Sequence, residues 1–174
     1  MDDITAQMFY DLYLAAFEPM RARAAARNVL HQDEFFAEMN DTRVSKYVAW
    51  DAAGRAVGLT TLTNDLHSVP WISPEYFAAQ FPEHTARNAV YYLGFTLVHP
   101  DARRGSTFTD MIGHVLSRLV ADRAVVGCDI CSYNITAHSF DQNIIKMLTA
   151  AAEVTVDVLD TQTYYSAEFR GKAE

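Results

Sequence analysis

A run of mostly apolar residues from Ala89 to Val98 breaks at Pro100, passes through Arg103, Arg104, Gly105, Ser106 and Thr107, and leads into Met111, Ile112, Val115, Leu116, Leu119 and Val120 at helical spacing. A buried strand that enters a helix through a short polar turn aims several unsatisfied backbone N–H groups at one point, where the helix dipole also favours negative charge. That arrangement can bind phosphate, and Arg103 and Arg104 would add charge-assisted bonds. The same residues also read as an ordinary strand-to-helix turn with two solvated arginines, since the sequence carries neither the P-loop nor the dinucleotide fingerprint.

Other chemistry is poorly supplied. Cys128 and Cys131 form a C-x-x-C inside an apolar stretch that reads as a strand, where residues three apart point to opposite faces, and nothing nearby completes a four-ligand zinc set. No G-x-S-x-G elbow, H-E-x-x-H or EF-hand loop occurs, so neither a serine hydrolase nor a metal site is expected. With 14 Lys and Arg against 22 Asp and Glu, the net charge of −8 repels nucleic acid and anionic lipid. An anionic small ligand remains compatible with the local cluster of Arg87, Arg103, Arg104, Arg118 and Arg123.

The elements that position these residues follow from length and periodicity. The 174 residues, half of them apolar, suit one domain spanning 1–174, with a core burying roughly 70% of the unfolded chain's surface. Helical patterns cover Met8 to Phe17, Met20 to Leu30 and Asp33 to Met39, the last capped by Gln32 or Asp33. From Ser45 the period changes to two, and Ala52 to Arg55 supplies the turn of a β-hairpin that resumes at Ala56 to Thr63. Residues 64–88 form an insert too long and too aromatic for a plain connection, and Trp71, Tyr76 and Phe77 are expected either to pack or to wall a pocket. Ala89 to Val98 reads as the central strand, Val125 to Cys131 as a second buried strand, Phe140 to Ala151 as a helix, and Val154 to Leu159 with Tyr164 to Phe169 as a terminal strand pair. The fold class is therefore α/β, a mixed sheet with helices on both faces. The acidic start of the chain and the lack of a long apolar run suggest a cytoplasmic protein without a membrane span.

Val98 His99 Pro100 Asp101 Ala102 Arg103 resembles the V-x-P-x-x-R opening of the pyrophosphate-binding segment in GNAT-type acyl-CoA N-acyltransferases, and the element order agrees from about residue 5 to 170. The resemblance implies a GNAT-like sheet with splayed central strands and acetyl-CoA or another acyl-CoA as cosubstrate, the pantetheine pairing with the strand backbone. Leu97 and Val98 would then meet pantetheine and thioester, while Arg103, Arg104, Gly105, Ser106, Thr107 and Phe108 would line the pyrophosphate. The family turn is richer in glycine, and Phe108 stands where a small residue is usual. Matching Asn143 to the family's last-helix Asn places Ala150 where a thiolate-protonating Tyr often stands, leaving Tyr133 and His138 as candidate acids. For the base, no Asp or Glu lies within Ala89 to Val98, so Glu83 and His84 of the insert are the candidates, with Glu75 and His67 behind them.

The resemblance thus implies an N-acyltransferase that moves an acyl group, acetyl by default, to the amine of a small molecule or peptide by direct attack. A homodimer is compatible with it. The alternative is a GNAT-like module that has lost catalysis and serves binding or interaction, which the missing glycines and Ala150 motivate.

Overall fold

The computed structural model describes residues 3–26 and 29–171. Helix α1 (Asp3–Phe17) turns Phe9, Leu12 and Tyr13 inward and runs into a 3-10 turn, Glu18–Ala22, with Pro19 in its first turn. Helix α2 (Gln32–Asn40) begins one residue before Asp33 and is capped at His31 rather than at Gln32 or Asp33, because His31 N–H donates to the Glu34 carboxylate at 2.8 Å and closes the first turn. Phe35 and Met39 bury its inner face beside Tyr10 and Tyr13.

The hairpin strands are β1 (Ser45–Trp50) and β2 (Ala56–Thr63), joined by a turn in which Gly54 takes φ 76° and the Asp51 carboxylate accepts from the Ala53 and Arg55 N–H groups. Strand β3 (Val90–Val98) pairs antiparallel with β2 on one side and parallel with β4 (Val125–Gly127) on the other, giving the sheet order β1-β2-β3-β4. Helix α5 (Thr107–Ala121) covers one face through Val115 and Leu119; α1 and α2 cover the other. The mixed sheet with helices on both faces is thus present.

The β2–β3 register contains one irregularity. Thr60 lies opposite Thr96 and Leu62 opposite Leu93, two steps along β2 against three along β3, which is a β-bulge at Gly94 and Phe95. The extra residue reverses the alternation of side chains. Tyr91 and Leu93 pack toward α5, whereas Phe95 and Leu97 pack among Tyr13 and Phe35 under α1 and α2.

The insert folds as a 3-10 turn, Leu66–Ser68, and two short helices, α3 (Pro74–Gln80) and α4 (Pro82–Ala86). Leu66, Val69 and Phe77 close over Val90 and Tyr92, a second core beneath the first half of β3. After β4 come α6 (Ser132–His138) and α7 (Phe140–Ala151).

Four expectations are corrected. The helix from Met20 to Leu30 is only the 3-10 turn followed by irregular chain as far as Ala26, and residues 27 and 28 lie outside the described residues. Alternating Arg and Ala favour helix locally but offer no apolar stripe to dock, and a short helix without tertiary packing is marginal. The strand at Val125 to Cys131 stops at Gly127, where a Cβ would fall 2.7 Å from the Phe77 ring, and Tyr92 OH donates to the Asp129 carboxylate just beyond. Cys128 and Cys131 therefore lie past the strand as free thiols. A helix, α6, occupies the stretch between Cys131 and Phe140, where the sequence reads as the end of a strand at Tyr133 and a loop at His138. Finally, Val154 to Leu159 and Tyr164 to Phe169 form no strands: the chain from 153 to 171 is exposed and without regular structure. Alternation makes a segment compatible with a strand, but the strand exists only where a neighbour completes its ladder.

Candidate functional site

The parallel ladder between β3 and β4 joins only Val90–Tyr92 to Val125–Gly127. Beyond it, among the described residues, no strand pairs with the β3 edge from Leu93 to Val98. Leu93 to Thr96 are half-buried while both ends of the strand are buried, an unusual profile for an interior strand. His99 N–H donates to Val57 O at 2.8 Å, so His99 and Leu97 direct their backbone groups toward β2. Those of Thr96 and Val98 consequently face the open side. An exposed strand edge of this kind is a template for another extended chain.

The edge leads into the turn that the sequence singled out. Pro100–Ala102 form a 3-10 turn in which His99 Nδ1 accepts from Asp101 N–H at 3.2 Å, and Gly105 N–H returns to Ala102 O. In α5 the Asp110 N–H donates to Ser106 O at 2.8 Å, so the amides of Ser106 to Thr109 precede the first intrahelical donor. Arg103 and Arg104 are exposed beside them and form no ion pair among the described residues. Ser106 does not cap the helix. Its hydroxyl donates to the Asp110 carboxylate at 2.6 Å, which places a negative charge in the same first turn. Gly58 seats this end of α5 on the sheet, because a Cβ there would lie 3.2 Å from Ala49 Cβ, Met111 Sδ and Thr107 Cγ2. Gly105 and Thr107 complete the turn, and the Phe108 ring leans on Phe140 of α7 at 6.4 Å between centroids.

The remaining sequence candidates are dispersed. Asn143 Nδ2 donates to His138 O at 3.3 Å and so ties α7 to the end of α6. Tyr133 and His138 meet ring to ring at 5.5 Å, with the Arg23 guanidinium over Tyr133. Glu83 and His84 stand on α4, whose His84 O accepts from Ala89 N–H. From Ala89 to Gly94 an extended chain runs roughly 17 Å, which separates that pair from the open edge. A cleft of about 480 Å³ at this first end of β3, lined by Asn64, His67, Glu75 and Val90 among others, is likewise distant from the phosphate turn. Of the three aromatics, Phe77 is buried to 7% exposure in the core of the insert. Trp71 and Tyr76 are half-exposed; Trp71 Nε1–H donates to Tyr92 OH at 3.2 Å and Tyr76 OH donates to Leu159 O at 3.0 Å. Among the described residues no group of side chains could hold a metal ion, and no helix is long and apolar enough to cross a membrane.

No family model and no curated protein matches the sequence. Solved structures do. An aminoglycoside antibiotic 6′-N-acetyltransferase from Acinetobacter baumannii aligns with a TM-score of 0.54 at 12% identity, covering 95% of this chain and 96% of its own. An aminoglycoside acetyltransferase from an uncultured soil metagenomic sample, solved with trehalose and with sisomicin, aligns at 0.53 and 12% identity over 97% of this chain and 93% of its own. The chain has the GNAT fold. At this identity the likeness is one of architecture, and the GNAT element order accounts for the parted strands and the turn together.

Within this GNAT fold one further ionisable group stands over the β3 bulge, and it comes from neither the central strand nor the insert. Glu38 on α2 places Oε1 3.8 Å from the position a Cβ would take at Gly94, directly over the bulge. Burial pushes its carboxyl above the ordinary value; the neighbouring Thr61 hydroxyl and, more weakly, Lys46 oppose the rise, and Asp41 adds to it. Thr61 Oγ1 faces the carboxyl without reaching hydrogen-bond geometry, so its effect is that of a nearby dipole. The sequence held a signal for Glu38: it stands three residues after Phe35 and one before Met39, at the margin of the buried stripe.

Proposed function

We propose that the chain is an acyl-CoA-dependent N-acyltransferase, acetyl by default, acting on the amine of a small molecule. The single observation that carries the reading is the parting of β3 from β4 after three residue pairs, with the freed β3 edge running straight into the unbonded amides of α5. An extended amide-bearing arm ending in a pyrophosphate fits both parts: strand-like pairing with Thr96 and Val98, and an anion site at Ser106 to Thr109 flanked by Arg103 and Arg104. Likeness of fold to two aminoglycoside acetyltransferases supports a small-molecule amine as acceptor.

The chain's own groups would act in order. The β3 edge orients the thioester carbonyl, the acceptor nitrogen attacks its carbon directly, and the C–S bond breaks to release CoA thiolate. Neither cysteine lies on β3, and no acyl-cysteine step is invoked. Tyr133 and His138 remain the proposed proton donors to the thiolate.

A second reading has its own support. Asp110 sets a carboxylate among the amides that would hold phosphate, and Asn143 is engaged with the backbone of α6, features that suit a GNAT-like binding module without turnover. Calorimetry with acetyl-CoA, beside CoA-thiol release with acetyl-CoA and a panel of primary amines, separates the two. Binding with turnover is expected; binding without turnover selects the module, and no heat of binding removes the cofactor from both.

A further inference from the structure

The geometry points to Glu38 as the group that receives the acceptor's ammonium and takes its proton, an inference that rests on the acyltransfer reading above. Gly94 is the pivot. At the bulge its missing Cβ leaves room that any other residue would close, since that Cβ would fall 2.3 Å from Thr61 Oγ1, and the Glu38 carboxyl lies over the same spot. The bulge begins two residues past the last β3–β4 pair, Tyr92 with Gly127, so the carboxylate stands over the stretch of β3 whose outer edge is free. Val48, Leu59, Phe95 and Leu97 form the apolar part of the same face.

Charged and titratable neighbours from every element packed against Glu38 leave the role to it. Lys46 on β1 directs its ammonium to Asp41 O at 2.5 Å. Asp41, at the end of α2, is engaged by Arg43 at 2.6 Å. On α1, Tyr13 accepts the Leu30 N–H at 3.0 Å, and burial pushes its phenol up to about 12. Among the described residues no ion pair fixes Glu38 itself. A half-buried carboxyl held above its ordinary value is a stronger base than a solvated one, and a cationic amine supplies the counter-charge it lacks. The acceptor is accordingly a primary ammonium that enters over α2, a direction the net charge of −8 also favours.

Protons balance as follows. The ammonium gives one proton to Glu38; the free amine forms the C–N bond as C–S breaks; the nitrogen gives its second proton up as the thiolate takes one. Glu38 then returns its proton to solvent, so each turnover yields amide, CoA thiol and one proton.

Glu38→Gln and Glu38→Asp test it, with acetyl-CoA and the best amine of the panel. Glu38→Gln is expected to lower kcat/KM about a hundredfold or more, the scale of a lost general base, and to abolish the fall in rate toward acid pH. Acetyl-CoA affinity should stay within about twofold, and Glu38→Asp should keep part of the rate. A stability readout runs in parallel. Because the folded carboxyl titrates above its unfolded value, its ionised form destabilises the fold at pH 8, so Glu38→Gln should raise Tm there, and the gain should vanish as pH falls below the ordinary glutamate range. Turnover that survives Glu38→Gln within about threefold, with an unchanged pH profile, overturns Glu38 as base and leaves the acyltransfer reading standing. A wild-type chain that neither binds acetyl-CoA nor turns over any amine overturns both.

Discussion

At the scale of single residues, the proposed anion site combines attraction and repulsion within one turn. Arg103 and Arg104 are exposed and unpaired among the described residues, so Arg103→Ala and Arg104→Ala should leave Tm unchanged while each weakens acetyl-CoA binding about tenfold or more, as loss of a charge-assisted contact does. Asp110 acts in the opposite direction. Asp110→Asn removes a carboxylate from beside the free amides, and it should tighten acetyl-CoA by a few fold, since a charge in the first turn contributes roughly 0.3 to 1 kcal/mol. Titration calorimetry on the three variants checks both signs, and looser binding in Asp110→Asn would place the phosphate elsewhere. Arg103 and Arg104 were legible in the sequence because a basic pair after a strand-breaking proline states its chemistry locally. Glu38 was legible only as a residue at the margin of a buried stripe, because its neighbours Thr61 and Gly94 lie far along the chain and only the folded sheet brings them under α2.

At the scale of elements, two close approaches decide where the helices sit. Gly58→Ala would drive a Cβ against three atoms at 3.2 Å, two of them on α5, so the side chains of Thr107 and Met111 must give by a few tenths of an ångström. The expected result is a stability loss of about 1 to 3 kcal/mol together with weaker acetyl-CoA binding, read from urea midpoints and calorimetry on the same samples. A stability loss with full affinity would mean the turn does not depend on that seating. The insert divides by burial: Phe77→Ala, emptying the core beneath β3, should cost about 3 to 5 kcal/mol, while half-exposed Trp71→Ala and Tyr76→Ala should cost far less and change preference among amines. Equal losses for all three would assign the whole insert to packing. The hairpin, the central strand, α5 and α7 were readable from period and turn chemistry, yet the bulge was not. In a strand apolar on both faces no alternation exists to be broken, and Gly94 was its lone mark.

For the molecule as a whole, apolar and polar surface are unevenly shared. The core lies between residues 6 and 119, whereas α7 contains no buried residue and the chain from 153 to 171 is exposed, with Val158, Tyr165 and Phe169 among its solvent-facing side chains. Limited chymotrypsin digestion should therefore cut first at Tyr164, Tyr165 or Phe169 and leave a trimmed body whose melting is little changed. Resistance of this segment, or collapse of the body on cutting, would mean that it packs. The strand pair expected there failed for a reason at this scale: a ladder needs an edge to join, and β4 offers only three residues.

The one-residue bulge on β3 also bears on how such a protein can change over time. Substitution exchanges side chains but cannot alter the count of residues between Leu93 and Thr96, and that count both parts the sheet and turns Phe95 and Leu97 toward α1 and α2. Restoring a flush strand takes a deletion, which would at the same stroke rotate half the core residues of β3 onto the wrong face. The crevice is therefore inherited with the hydrophobic core. A lineage could lose Glu38, the arginines and every proton donor and still hand down the open edge of β3.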